Sequence, residues 1–193
     1  MKRGNVSPLH GWLCRSARWR KTIQRRVPWV ISGADLGQNV LELGPGPGLR
    51  TDLLRLTVQR ITAIEVDSEL AESLSSRLRG SNVEVVAGDA TAMPFSDAQF
   101  SGGVSFTMLH HVPSREWQDK LLREVWRVIK PGGVFVGSDS LESLMMRLIH
   151  LRPRPDVLPV SMAKIVSCGM PVPSSATSNQ TSSEERPMRI ATV

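Results

Sequence analysis

The sequence predicts an α/β fold: a doubly wound, mostly parallel sheet with helices on both faces. Three observations carry this. Short apolar runs recur at 39–43, 60–65, 82–88, 100–106 and 134–138. Stretches with apolar residues at helical spacing lie between most of them. A glycine-rich turn follows the first run directly, at 44–48. Strands alternating with helices call for parallel pairing, and right-handed crossovers then cover both faces of the sheet. In such folds ligands bind at the carboxyl ends of the strands.

Along the chain, residues 9–26 predict a short basic helix with Trp12, Leu13, Trp19 and Ile23 as its apolar contacts, ended by Pro28. NVLEL (39–43) is the first strand, and residues 49–57 form a helix carrying Leu49, Leu53, Leu54 and Leu56. RITAIE (60–65) is the second strand. Ser68 caps a helix through Arg79, with Leu70, Ala71, Leu74 and Leu78 on one face and Gly80 just past its end. NVEVVAG (82–88) is the third strand, and 93–99 is a polar connection. FSGGVSF (100–106) is a fourth strand weakened by Gly102 and Gly103. Ser114 caps a helix through Ile129, with Trp117, Leu121, Leu122, Val125, Val128 and Ile129 at helical spacing. Pro131, Gly132 and Gly133 stop it, VFVGS (134–138) is the fifth strand, and 141–149 is helical again.

Three regions follow: a basic helical arm or lid at 1–34, an α/β domain at 35–150 and an irregular tail at 151–193. The chain of 193 residues suits one domain with its own core. Its net charge of +6 is uneven, for residues 1–34 hold eight Lys or Arg and no Asp or Glu. Such an arm can dock an anionic surface, but no aromatic-interleaved motif accompanies it, so the solvated face of a helix is preferred and nucleic acid is not expected. No apolar run is long enough to predict a transmembrane segment. The two cysteines, Cys14 and Cys168, are far apart and predict neither a disulfide framework nor a metal site, so the reducing cytoplasm is the expected compartment. From Met170 to Pro187 the chain is rich in Ser, Thr and Pro and poor in large apolar groups, a composition that predicts disorder.

Gly44, Gly46 and Gly48 alternate between a strand and a helix, where a tight turn lets a ligand approach the backbone. That feature alone fits many nucleotides. Glu42 sharpens it, because a carboxylate two residues before the first glycine repels a pyrophosphate and suits a cation such as S-adenosylmethionine. Pro45 and Pro47 also remove N–H donors that a phosphate cradle needs. Glu65 closes the second strand and can accept both hydroxyls of a ribose, although Glu65 or Asp67 could instead cap the next helix. Asp89 follows the third strand, where its carboxylate can accept from an adenine amino group and the Ala90 backbone can read a ring nitrogen. The competing reading is an ordinary turn aspartate. Three successive strand ends thus present an acid.

The run from Val40 to Ser138 resembles the class I S-adenosylmethionine-dependent methyltransferase family. It is most similar to the small-molecule branch that includes quinone- and sterol-modifying enzymes. The matching pieces are VLELGPGPG (40–48), ITAIEVDSEL (61–70), VVAGDATAMPF (85–95), FTMLHHV (106–112) and REVWRVIKPGGVFV (123–136). The resemblance implies that Glu42 and the three glycines hold the methionine end of the cofactor, Glu65 the ribose, and Asp89 with Ala90 the adenine. Thr107 would line the pocket near the sulfonium, and a small molecule would accept the methyl group.

Two departures stand out. The family often has Asp after the aromatic that opens strand four, whereas Ser101, Gly102 and Gly103 follow Phe100 here. The family sheet ends in an antiparallel hairpin, whereas no two strand signals follow residue 150, and VSMAKIVS (160–167) fits either element type. The expectation is a sheet lacking its final strands, as a truncated or frameshifted frame would produce, with an exposed edge that invites oligomerisation. Should the acceptor need a base, His110 and His111 after strand four are the candidates, with Asp139 after strand five a weaker one. A purely loop-shaping role for the histidines is the preferred reading. Two further classes stay open: a nucleotide-binding oxidoreductase using NAD, and a non-catalytic or truncated relative of the family.

Overall fold

A computed structural model describes residues 30–139 with Ile23, Gln24, Val27 and Pro28, and the backbone of two strands at 163–167 and 190–192. The first strand, β1 (Asn39–Leu43), pairs in parallel with β2 (Arg60–Glu65) on one side and β4 (Phe100–Phe106) on the other. Strand β3 (Val83–Ala87) lies outside β2, and β5 (Ile129–Ser138) lies outside β4, both parallel. The order β3-β2-β1-β4-β5 reverses direction between β1 and β4. That reversal is the switch point at which α/β sheets open a crevice for a ligand.

Alternation along β1 divides the core. Leu41 and Leu43 join Ile64, Phe100, Phe135 and the helix residues Leu121, Val125 and Val128 on one face. Val40 joins Ile61, Ala63, Val104 and Val136 on the other, with Leu54 beneath them. Helix α1 is only four residues long (Thr51–Leu54), shorter than the sequence suggests, and Leu56 beyond it is 72% exposed. Helix α2 (Ser68–Arg77) is capped by Asp67 and not by Ser68, the expected cap, because the Asp67 carboxylate reaches the N–H groups of Glu69 and Leu70. Helix α3 (Arg115–Val128) is capped by Ser114, as its sequence suggests. Trp117, assigned to the core stripe by spacing, is 38% exposed instead. Gln118 takes the inner position, and its amide donates to the Leu109 carbonyl at 3.1 Å.

The connection at 93–99 is polar in composition but anchored. Met93 is buried, and Phe95 meets the Phe100 ring edge-on at 5.1 Å. Arg127 of α3 reaches the carbonyls of Phe95 at 2.7 Å and Met93 at 3.1 Å and pairs with Asp97 and Glu124 at 2.8 Å each. The Glu124 carboxylate also accepts from the Met93 N–H, and the guanidinium holds it below the usual carboxylate range. Arg127→Ala is expected to cost about 2 kcal/mol, since several charge-assisted bonds go at once and part of the site stays wet. Urea denaturation measures the loss, and faster amide exchange confined to 93–98 would locate it.

The KPGG segment bulges. Phe100 pairs with Ile129 but Gly102 pairs with Val134, so residues 130–133 face Ser101 alone. The Ser101 hydroxyl accepts from the Asn39 N–H and lies 2.9 Å from the Leu36 carbonyl, tying the entry of β1 to β4.

Beyond β5 the sheet continues. Strand β6 (Ala163–Ser167) pairs antiparallel with β5, and β7 (Ile190–Thr192) pairs antiparallel with β6, giving seven strands in all. This corrects the expectation of a sheet without final strands and an irregular tail throughout 151–193. It also removes an open β5 edge as the reason to expect oligomers. The five-residue run AKIVS is too short for its period to announce a strand; pairing with β5 does so. The helix expected at 141–149 and the Ser/Thr/Pro-rich stretch lie outside the described residues. Most of the basic arm does too. Of that arm, Ile23, Val27 and Val30 are buried in the second core cluster. Pro28, Val30 and Ile31 have helical backbone, so helical structure continues past the proline.

Candidate functional site

The residues singled out by sequence converge on the carboxyl ends of the parallel strands. Glu42 lies near the end of β1, Glu65 ends β2, Asp89 follows β3, Thr107 follows β4 and Asp139 follows β5. The glycine turn and β2 are tied together. Gly44 N–H donates to the Ile64 carbonyl at 2.9 Å, and Gly46 N–H donates to Glu65 Oε2 at 2.9 Å. Glu65 Oε1 accepts from the Asp67 N–H, so Asp67, not Glu65, is the helix cap.

The three glycines differ in function. All have positive φ, +59°, +55° and +80° in order, which an L side chain resists. A Cβ on Gly44 would collide with Met108 Cγ, and one on Gly48 with Leu74 Cδ1. Those two glycines let the turn pack on its neighbours. A Cβ on Gly46 would meet nothing within 4 Å, so Gly46 is the one that faces open space.

Glu42 is the most unusual group. It is 1% exposed, and its Oε2 has no hydrogen-bond partner among the described residues. Burial raises its pKa to about 7, while the Thr51 hydroxyl and the Arg50 charge pull it down and the Asp52 and Glu65 carboxylates push it up further. Burial makes ionising this carboxyl costly, and a cation placed beside it would offset that cost. Asp89 accepts from both the N–H and the hydroxyl of Thr91 at 2.8 Å. Burial acts to raise its pKa and those bonds to lower it; the carboxyl sits below its usual range. Ala90 packs against the first core cluster. Thr107 adopts φ +50°, uncommon for a β-branched residue, and its N–H donates to the Ser138 carbonyl at 2.7 Å.

Several neighbours escaped the sequence reading. Met108 fills the side of Gly44, and Val66, directly after Glu65, is 47% exposed, an apolar surface at a strand end. His110 and His111 form a single 3₁₀ turn with Leu109, their rings 4.1 Å apart. Asp139, the weaker base candidate, is 3% exposed and lies 2.5 Å from His110 Nδ1. Its second oxygen accepts the His110 backbone N–H at 3.0 Å. Among the described residues no cluster of three or more His, Cys, Asp or Glu could hold a metal, and no helix is long and apolar enough to cross a membrane.

The methyltransferase domain family matches residues 41–137 of the chain. A demethylmenaquinone methyltransferase from Clavibacter sepedonicus is 33% identical over 120 residues, 61% of this chain and 45% of that protein. A probable ribosomal RNA small subunit methyltransferase A from Thermococcus onnurineus is 42% identical over 76 residues, 39% of this chain and 27% of that protein. Among solved structures, the PH0226 protein from Pyrococcus horikoshii OT3 superposes with a TM-score of 0.62 at 25% identity, covering 70% of this chain and 61% of that one. The chain spans less than half the length of the curated relatives it matches.

Proposed function

The chain belongs to the methyltransferase domain family, and from that premise we propose that it binds S-adenosylmethionine across the ends of β1, β2 and β3 and methylates a small-molecule acceptor. The observation that carries the reading is Glu42, a buried carboxylate with an unanswered oxygen at a glycine turn whose Gly46 faces open space. The donor set fits the cofactor. Glu42 and the turn take the cationic methionine end, Glu65 the ribose hydroxyls, and Asp89 with Ala90 the adenine edge, with Val66 as an apolar platform for the ring. Thr107 lines the side toward the acceptor.

When bound, the cofactor supplies a methyl group already activated by the sulfonium charge. The protein therefore works mainly by holding donor and acceptor in line. Glu65 is preset for this by its bonds to the Gly46 and Asp67 N–H groups. The similarity to the demethylmenaquinone methyltransferase supports a small acceptor, and the similarity to the ribosomal RNA enzyme keeps RNA as the second reading. Glu42 and the two prolines of the turn oppose NAD. A cytoplasmic setting accords with the cysteine usage.

Glu65→Ala is expected to weaken S-adenosylmethionine binding about 10- to 100-fold, the loss of charged hydrogen bonds from a buried group. Equilibrium dialysis with labelled cofactor measures it. Unchanged binding would remove Glu65 from the site, and no binding by the unaltered chain would favour a non-catalytic relative.

A further inference from the structure

The glycine turn is built from residues that lose much freedom when they order. Gly44, Gly46 and Gly48 all take positive φ, and Pro45 and Pro47 bring no N–H with which to brace it. Its first half is held by β2, through the bonds from Gly44 N–H to the Ile64 carbonyl and from Gly46 N–H to Glu65. Its second half, residues 47–48, is held by a different element. Arg77 closes α2 and lies three positions after Leu74, so both side chains leave the same face of that helix. Leu74 packs beside Gly48, and the Arg77 guanidinium reaches past it. Nη2 donates to the Pro47 carbonyl at 3.1 Å and lies 3.5 Å from the Gly48 carbonyl. Nη1 donates to both oxygens of Asp52, in the first turn of α1, at 2.8 and 3.0 Å.

We propose that Arg77 is a positioning residue for the cofactor: it clamps the second half of the glycine turn to α1 and α2, so that Gly46 is presented in its binding conformation before the cofactor arrives. This inference rests on the reading of that turn as the receptor for the methionine end. A bare ion pair this exposed, 43% for the Arg77 side chain and 33% for that of Asp52, would contribute little. A guanidinium that meets a carboxylate with one nitrogen and a turn carbonyl with another does more, since its planar fork fixes an angle as well as a distance. Arg55 lies farther from the same carboxylate, at 3.8 Å, and is no substitute. The Asp52 N–H donates to the Gly48 carbonyl at 3.0 Å, so Asp52, Gly48 and Arg77 form one closed ring of contacts. A loose turn is ordered only on binding, which weakens affinity; a turn ordered in advance avoids that loss. The clamp should therefore matter for the methionine end of the ligand and not for its nucleoside, which the same reading gives to Glu65 and Asp89.

The full chain at pH 8 is compared with Arg77→Ala, Arg77→Lys and Asp52→Asn, the last breaking the clamp from its other end should an Arg77 variant fail to fold. Equilibrium dialysis with labelled S-adenosylmethionine is expected to show affinity lowered about 5-fold in both Arg77→Ala and Asp52→Asn. Charge alone predicts opposite signs, since losing the cation would favour a cationic ligand and losing the anion would disfavour it. Arg77→Lys should recover only part of the loss, because one ammonium cannot serve Asp52 and the turn together. 5′-Methylthioadenosine, competed against the labelled cofactor, carries the nucleoside without the methionine end, and its affinity should stay within about twofold in every variant. Amide exchange needs no ligand: Gly46 and Gly48 should exchange about 5-fold faster in Arg77→Ala, with the amides of α3 unchanged. Unchanged exchange at these glycines would overturn the proposal, as would unchanged or tighter cofactor binding in Arg77→Ala. So would full recovery by lysine, or an equal loss for methylthioadenosine, which would mean general damage. Failure of the unaltered chain to bind the cofactor, with exchange at the glycines as expected, would instead be a failure of the reading of the site.

Discussion

Glu42→Gln is expected to stabilise the free chain at pH 8 by about 3 kcal/mol and, at the same pH, to remove most of its affinity for S-adenosylmethionine. The sign follows from linkage. The Glu42 carboxyl has its ordinary value of 4.5 when unfolded and about 7 when folded, so between those values the native state holds the extra proton. Stability therefore falls as pH rises from about 4.5 to about 7, by about 1.4 kcal/mol for each pH unit in that window, and then levels off. Glutamine removes the ionisation, so the gain is largest above pH 7 and shrinks to about 1 kcal/mol or less by pH 5. Thermal or urea melts at both pH values test this. A cation beside Glu42 reverses the account, because it favours the ionised form. Affinity of the unaltered chain should rise about tenfold from pH 5.5 to 7, with proton release, and this slope should vanish in Glu42→Gln. An equal pH slope in both proteins would dissociate Glu42 from the cofactor.

Gly102→Ala is expected to destabilise the sheet by about 3 kcal/mol, near the upper end for overpacking. The added Cβ would lie 2.6 Å from the Leu36 carbonyl oxygen, 3.0 Å from its Cα and 3.0 Å from the Val134 carbonyl oxygen. All three are backbone atoms on segments flanking β4, so none can swing aside as a side-chain tip would. Gly33→Ala serves as the contrast: its φ is +74° but nothing lies within 4 Å, so only the conformational cost applies, about 1 kcal/mol. Denaturant unfolding of the two variants checks the ratio. Equal losses would mean that close approach does not explain Gly102, and that the glycine merely weakens β4 as composition suggests.

Much of this fold was legible because its signals are local. The five parallel strands announce themselves as apolar runs, and Ser114 announces α3. The acids Glu42, Glu65 and Asp89 were legible as a set because strand ends in a doubly wound sheet face one crevice. What escaped depends on partners distant in sequence. Gln118 takes the inner position in place of Trp117 because its amide finds the Leu109 carbonyl. Residues 163–167 become a strand by pairing with β5. Arg127 looks like one more surface charge until the loop at 93–98 folds onto it. The three glycines read alike in sequence, yet Met108 and Leu74 separate Gly44 and Gly48, which permit packing, from Gly46, which faces the open site. Asp139 and His110 are 29 positions apart, and only the adjacency of β4 and β5 joins them.

The proposed function requires the glycine turn with its buried Glu42 to receive a cationic nucleoside cofactor. Calorimetric titration of the full chain at pH 8 with S-adenosylmethionine, and in parallel with NAD, tests it most directly. Saturable one-site binding of S-adenosylmethionine with no heat from NAD is the expected result; binding of NAD alone, or of neither, would contradict it.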